Sequence, residues 1–259
     1  MEREMLVDFG KGADDYALHR RGFSTSIMQR LNSLGVGLAG QKVLDLGTGT
    51  GAFAIEFAKS GCDVTGIDPS SSLLKKGKAA VAREGLSVQF VQGFAENTRL
   101  PSEAFDVVTA ATSWHWFDQH AAAEESRRVL RPGGILVLAT LEWHCLPGNL
   151  LTKTLELVRR YIPKSAIYKP STLRYPDWTE ELVRAGFTGW EVFAYIEAVQ
   201  YTHEGWRGRV RASQGMAPAM DSKTLVECDA ALAAMLVHDF PQQPMEVAHR
   251  IAAIVARLD

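Results

Sequence analysis

The sequence predicts an α/β fold: a doubly wound, mostly parallel seven-stranded sheet with helices on both faces and a helical insertion that covers a substrate. Three observations carry that expectation. Strand-like and helix-like patterns alternate from residue 42 to about residue 140, the mark of a parallel sheet with crossover helices. Within that stretch, the apolar run Val43-Leu44-Asp45-Leu46 enters a loop with glycines at 47, 49 and 51, and a helix-forming run follows at once. Beyond residue 140 the regular alternation weakens and large aromatic residues accumulate.

The elements follow in order. Val43–Leu46 reads as the first strand and Ala52–Lys59 as the first crossover helix. Cys62–Ile67 is a second strand ending at Asp68-Pro69, and Ser70–Glu84 a helix with a serine-rich start and lysines on its polar face. Ser87–Val91 and Phe105–Ala110 make strands three and four. Gln119–Leu130 is a helix stopped by the glycines of Arg131-Pro132-Gly133-Gly134, and Ile135–Ala139 begins strand five. Further on, Leu150–Tyr161, Trp178–Ala185, Gly205–Ala212 and Ser222–His238 read as helices, Pro163–Pro176 as a connector and Thr188–Val199 as a strand. Periodicity fits Glu246–Leu258 to a strand or a helix; the fold context favours a strand.

Composition excludes several classes of function. A 259-residue chain that is 46% hydrophobic and 22% charged suits one α/β domain with an additional covering segment. A formal net charge of −2 and the lack of a dense basic block argue against nucleic acid as a partner. The pairs Arg127-Arg128 and Arg159-Arg160 read as solvated helix faces. No run approaches the roughly 20 apolar residues that cross a bilayer, so no membrane partner is expected. The charged start, Met1–Asp14, lacks the apolar core of a secretory signal. Three scattered cysteines, 62, 145 and 228, fit neither a disulfide framework nor a metal site, and point to a reduced cytoplasmic protein.

The glycine loop carries most of the chemistry. Glycines let the backbone turn sharply and bring bare amides against a ligand that a Cβ would push away. Asp45, at the carboxyl end of the strand two residues before Gly47, would serve a pyrophosphate poorly and an ammonium group well. That selects S-adenosylmethionine over a dinucleotide as the cofactor, although Gly47-x-Gly49-x-x-Ala52 imitates the dinucleotide fingerprint of nicotinamide dehydrogenases. Asp68 closes the second strand 17 residues after Gly51, where a carboxylate can take both ribose hydroxyls.

The chain resembles the class I S-adenosylmethionine-dependent methyltransferases, in particular the small-molecule branch with the trans-aconitate, juvenile hormone acid and malonyl-carrier-protein methyltransferases. The resemblance rests on Val43–Gly51, Gly66-Ile-Asp-Pro-Ser70, Gly93-Phe-Ala-Glu96 with Leu100-Pro101, Phe105-Asp-Val-Val108 and Val129-Leu-Arg-Pro-Gly-Gly134. It implies a Rossmann-like fold in which Gly47, Thr48 and Gly49 contact the methionine part and Asp68 the ribose. It also implies that Pro69, Ser70 and Leu73 border the adenine. The third loop of relatives reads Gly-Asp-Ala-Glu; here Phe94 replaces the Asp, which shifts adenine recognition to the Ala95 amide and Glu96. Tyr16 and Arg20 match a segment that folds over the cofactor in relatives, without its prolines, and Arg20 could pair with the cofactor carboxylate.

The fourth strand ends in Thr112-Ser-Trp-His-Trp-Phe-Asp118, and so many rings on one loop require at least two of them to be buried. By resemblance, Ser113 or Trp114 lines the transfer site. His115 is the candidate catalytic or substrate-orienting group; the alternative is a histidine that only caps hydrogen bonds. A carboxylate acceptor needs no base, whereas a hydroxyl acceptor would gain from His115 or His144. Trp143, His144 and the other aromatics of 141–215 are expected to form an apolar acceptor pocket. The expected layout is a cofactor-covering segment over 1–40, a cofactor-binding core over 41–140, and an acceptor-pocket insertion with sheet-completing residues over 141–259. The expected activity is methylation of a small-molecule acceptor, most simply at a carboxylate or hydroxyl oxygen, by a monomer or homodimer without a metal. An N- or C-methyltransferase and a non-catalytic cofactor-binding protein are the alternatives.

Overall fold

Strand β1 (Lys42–Leu46) shows how the sheet is built: Val43 packs on one face of the sheet, Leu44 and Leu46 on the other, and all three are fully buried. A strand buried on both sides belongs to the interior of a parallel sheet. The computed structural model describes residues 25–162, 175–213 and 220–259. Strands β2 (Asp63–Asp68), β3 (Gln89–Gln92), β4 (Phe105–Ala111), β5 (Leu130–Trp143), β6 (Gly189–Tyr201) and β7 (Met245–Arg257) complete a seven-stranded sheet ordered β3-β2-β1-β4-β5-β7-β6. The pairs β3–β2, β2–β1, β1–β4 and β4–β5 are parallel, with Asp45 level with Gly66 on one side and Thr109 on the other. Leu258 N donates to Gly134 O and His144 N to Ala248 O, so β7 runs antiparallel to β5 and the sheet is mixed.

The described residues fall into two compact units: 25–141, 175–195 and 251–259 form the larger, and 142–162, 196–213 and 220–250 the smaller. In the larger unit, helices α1 (Thr25–Ser33) and α2 (Ala52–Lys59) bury Ile27, Leu31, Phe53 and Phe57 against Val43, Val107 and Val137. Helix α3 (Ser71–Arg83) follows β2. On the opposite face, α4 (Gln119–Val129) and α6 (Tyr175–Arg184) bury Ala122, Ala123, Trp178 and Leu182 against Leu44, Leu46 and Val108. Complete burial of each large apolar side chain contributes roughly 1.5–3 kcal/mol. The smaller unit has its own core, in which α5 (Leu150–Val158), α7 (His203–Arg211) and α8 (Ser222–Asp239) supply Leu151, Trp206 and Leu232. Trp206 satisfies its indole N–H there on Thr154 Oγ1, 3.0 Å away.

Several expectations shift. Strand β5 begins at Leu130 instead of Ile135, because Leu130 pairs with Phe105 before Arg131–Gly134 bulges out and pairing resumes at Ile135 opposite Val107. The α6 helix starts at Tyr175, inside the expected connector, whose residues 163–174 lie outside the described ones. The ambiguous last segment is a strand, Met245–Arg257.

Candidate active site

Every loop flagged by the sequence lies at the carboxyl end of β1, β2, β3 or β4, where ligands bind in open parallel sheets. Gly47 has φ +66°, and a Cβ there would stand 2.6 Å from Ser113 Cβ and 3.0 Å from Phe117 Cζ. The first glycine therefore lets the β1 loop press against the turn after β4. Gly49 has φ +56°, its side-chain direction is open to Leu73 Cδ1 at 4.0 Å, and its N–H donates to Asp68 Oδ2 at 2.9 Å.

Asp45 lies beneath this loop and is 1% exposed. Burial pushes its carboxyl up to about 6, opposed by the Thr48 and Thr109 hydroxyls and helped by the nearby Asp68. Thr109 Oγ1 donates to Asp45 Oδ1 at 2.7 Å. The Thr48 hydroxyl favours the ionised carboxyl from beside it, although buried Thr48 Oγ1 meets full hydrogen-bond geometry with none of the described residues. Asp68 receives Gly49 N–H on one oxygen and Ser70 N–H, at 2.9 Å, on the other. Each oxygen keeps a lone pair for a further donor. Burial raises the Asp68 pKa and the two backbone bonds oppose that rise. Ser70 caps α3 through Leu73 N–H, and Pro69 O accepts from Gln92 Nε2 at 3.0 Å.

In the loop after β3, Gly93 N–H donates to Asp68 O, Ala95 is buried and Phe94 is 58% exposed. Glu96 Oε1 accepts the Asp118 N–H at 2.9 Å, which ties this loop to the start of α4. After β4, Ser113 Oγ donates to Leu46 O at 2.8 Å. Trp114 is 1% exposed and meets Phe117 edge-on at 6.0 Å; its buried indole N–H has no hydrogen-bond partner among the described residues. His115 is exposed, 5.0 Å from the Trp116 ring. The aromatic cluster is less buried than expected: Trp114 is inside and Phe117 half-buried, but Trp116 is 50% exposed because the 3₁₀ turn Trp114–Trp116 points it outward.

Two flagged residues belong to the smaller unit. Trp143 packs 5.3 Å from Trp206 beneath the Arg209 guanidinium, which sits 4.7 Å from the Trp143 ring; half-buried His144 is held through its backbone by Ala248 O and Asn149 Nδ2. Tyr16 and Arg20 lie outside the described residues. Among the described residues, no group of three His, Cys, Asp or Glu side chains could hold a metal, and no helix is long and apolar enough to cross a membrane.

An adenosyl cofactor with an ammonium group fits this donor set. Asp68 keeps lone pairs for further donors, Thr48 Oγ1 is a buried hydroxyl that completes no hydrogen bond among the described residues, the Gly49 side-chain direction is open, and Asp45 supplies a buried carboxylate. A family model described as a methyltransferase domain matches residues 44–138. An uncharacterised methyltransferase of Mycobacterium bovis is 34% identical over 186 residues, which cover 70% of this chain and 73% of that protein. The chain belongs to the class I S-adenosylmethionine-dependent methyltransferases.

This methyltransferase is also similar to the malonyl-[acyl-carrier protein] O-methyltransferase of Enterobacter lignolyticus, 32% identical over 150 residues covering 56% of this chain and 57% of that protein. Its fold matches the phosphoethanolamine N-methyltransferase 2 of Haemonchus contortus, solved with phosphomonomethylethanolamine and S-adenosylhomocysteine. That match has a TM-score of 0.57 at 18% identity and covers 98% of this chain and 60% of that one. The cofactor of the methyltransferase is S-adenosylmethionine. Sequence reasoning missed three residues around its site. Thr109 reaches Asp45 only through strand register, and Phe117 reaches Gly47 only through the fold of a turn. Thr112, a β-branched residue at φ +56° just before Ser113, stores backbone strain at the site's edge.

Proposed function

We propose that this methyltransferase methylates a carboxylate or hydroxyl oxygen of a small, partly apolar acceptor, by in-line displacement in an aromatic-lined pocket. The observation that carries the reading is the turn after β4, where buried Trp114 and exposed His115 adjoin the Ser113 contact with the glycine loop. That turn offers an apolar wall and a reachable imidazole beside the cradle. When bound, the cofactor supplies an electrophilic methyl group on a sulfonium. The chain's task is then alignment and exclusion of water. Asp45 holds the ammonium, Gly47, Thr48 and Gly49 the rest of the methionine part, and Asp68 the ribose hydroxyls. Pro69, Ser70, Leu73, Ala95 and Glu96 border the adenine.

Ser113 or Trp114 lines the transfer site, and His115 orients the acceptor or takes its proton when the acceptor is a hydroxyl. The similarity to an enzyme named as an O-methyltransferase supports oxygen as the acceptor atom. We place the enzyme in the cytoplasm as a monomer or homodimer without nucleic-acid or membrane partners. The test is methyl transfer from labelled cofactor to a panel of small carboxylic acids, phenols, alcohols and amines, with products identified by mass spectrometry. A base-labile methyl ester or a methyl ether is expected. Transfer to amines or carbon alone would overturn the oxygen assignment, and tight cofactor binding without transfer to cell-extract acceptors would favour a non-catalytic protein.

A further inference from the structure

The loop between β3 and β4, residues 93–104, forms an isolated bridge between Phe94 and Asn97, and only its last two residues are held by backbone bonds to α4, Glu103 N–H on Arg128 O and Ala104 N–H on Val129 O. It also carries two non-glycine residues in the left-handed region, Arg99 at φ +59° and Glu103 at φ +53°. Such a path is costly for L-residues and persists only where other contacts impose it. Helix α4 supplies those contacts. Glu125, on its buried side, accepts Thr98 N–H at 2.8 Å and Thr98 Oγ1 at 2.6 Å on a single carboxylate oxygen. Arg128, one turn later, donates to both oxygens of Glu125, at 2.7 and 2.8 Å. The same guanidinium reaches Leu100 O at 2.9 Å and Ser102 Oγ at 3.0 Å. Thr98 Oγ1 in turn accepts Leu100 N–H at 3.2 Å. At the other end of the loop, Glu96 takes the Asp118 N–H at the start of α4.

We infer that Glu125, Arg128 and Thr98 form a positioning clamp that holds Ala95 and Glu96 in their cofactor-binding place and thereby sets affinity for the cofactor. The inference rests on the reading that these two loop residues border the adenine. Its physical basis is the order of the ties. Gly93 is bonded to Asp68 O, Glu96 to the start of α4, and Thr98 to Glu125 further along that helix, so the segment from Gly93 to Thr98 is suspended between fixed ends. Releasing Thr98 frees one end of that suspension while Asp68 keeps its own bonds to Gly49 and Ser70. The clamp does not respond to pH near neutrality, because its partner Arg128, outweighing burial, holds Glu125 down at about 2 with further help from Thr98. Glu125, Arg128 and Thr98 are positioning residues.

The test measures S-adenosylhomocysteine affinity by calorimetry at a temperature where circular dichroism shows every variant folded. Thr98→Val keeps the shape and removes the hydroxyl, Thr98→Ser restores it, Glu125→Gln removes the charge, and Asp68→Ala reports on the site itself. Thr98→Val and Glu125→Gln are expected to weaken binding about tenfold, the factor that 1.4 kcal/mol of lost loop ordering corresponds to. Thr98→Ser should bind within about twofold of the parent, which is within roughly 0.4 kcal/mol. A clamp with a purely structural role would lower the melting temperature of Thr98→Val and leave this affinity unchanged. That result, obtained while Asp68→Ala still loses affinity, overturns the clamp. Unchanged affinity in Asp68→Ala as well would overturn the site assignment beneath it.

Discussion

Replacing Asp45 with Asn separates the acid's cost to the fold from the support proposed for a cationic ligand. Burial raises the folded-state pKa of Asp45 from 3.8 to about 6, so the native protein binds this proton more tightly than the unfolded chain. The sign follows. Below pH 3.8 the group is protonated in both states and costs nothing. As pH rises from about 4 to 6 the unfolded chain ionises first and native stability falls. Above pH 6 the full penalty applies, and the interval from 3.8 to about 6 corresponds to about 3 kcal/mol. Asn removes that penalty and can still accept the Thr109 hydroxyl, but its amide N–H groups need partners the carboxylate did not, which takes back about 1–2 kcal/mol. The variant should therefore gain about 1–2 kcal/mol over the parent at pH 8 and lose about 0.5–1.5 kcal/mol at pH 4, read by urea denaturation. Ligand binding should move the opposite way. A ligand ammonium favours ionised Asp45, so parent affinity for S-adenosylhomocysteine should tighten from pH 5 to 7 and then level off, while the variant binds weakly with a flat profile across that window. A variant profile that keeps the parent's rise between pH 5 and 7 would refute the assignment of Asp45 as the ammonium's partner.

Three further predictions come from the same loops. Gly47→Ala places a methyl 2.6 Å from Ser113 Cβ on a backbone at φ +66°, and should cost about 2–4 kcal/mol of stability by thermal melting. Thr112→Gly relieves a left-handed backbone worth about 1–2 kcal/mol against about 0.5–1 kcal/mol of added unfolded-state entropy, and a melting temperature below the parent's would contradict the strain. Once an acceptor is found, His115→Ala should slow transfer to a hydroxyl about 100-fold and barely alter transfer to a carboxylate. Unchanged turnover on a hydroxyl acceptor would reduce His115 to packing.

Most of the cofactor half was legible because its geometry is written in backbone requirements. Gly47 and Gly49 adopt the left-handed conformations that only glycine takes cheaply, and Ser70 caps the helix its sequence announces. The β5 boundary was misplaced because Arg131-Pro-Gly-Gly134 reads as a stop. Leu130 nonetheless finds Phe105 and the strand continues past a bulge, which is a tertiary event with no local signal. Arg128 shows the same limit from the other side. As one of two adjacent arginines it read as a solvated helix face, yet the helical period puts Glu125 one turn before it, and three loop residues reach the pair only through the fold.

The acceptor side resists such reading for a chemical reason. The groups proposed to hold the cofactor are main-chain amides and two carboxylates, whose placement follows from strand ends and glycines and so is written as spaced letters. An acceptor is held by the shape of a cavity, and shape depends on which rings turn inward. In this chain Trp114 is buried and Trp116, two residues away, is half in solvent, although both stand in one short turn with the same composition around them. Trp143 and Trp206 look like pocket residues by type, but in the smaller unit they pack 5.3 Å from each other in its core, and Trp206 has its indole N–H committed to Thr154. An aromatic count therefore marks where apolar area is needed without saying whether a core or a ligand uses it. Thr48 Oγ1 and Trp114 Nε1 narrow the search better, because burial has already stripped them of water and neither completes a hydrogen bond among the described residues.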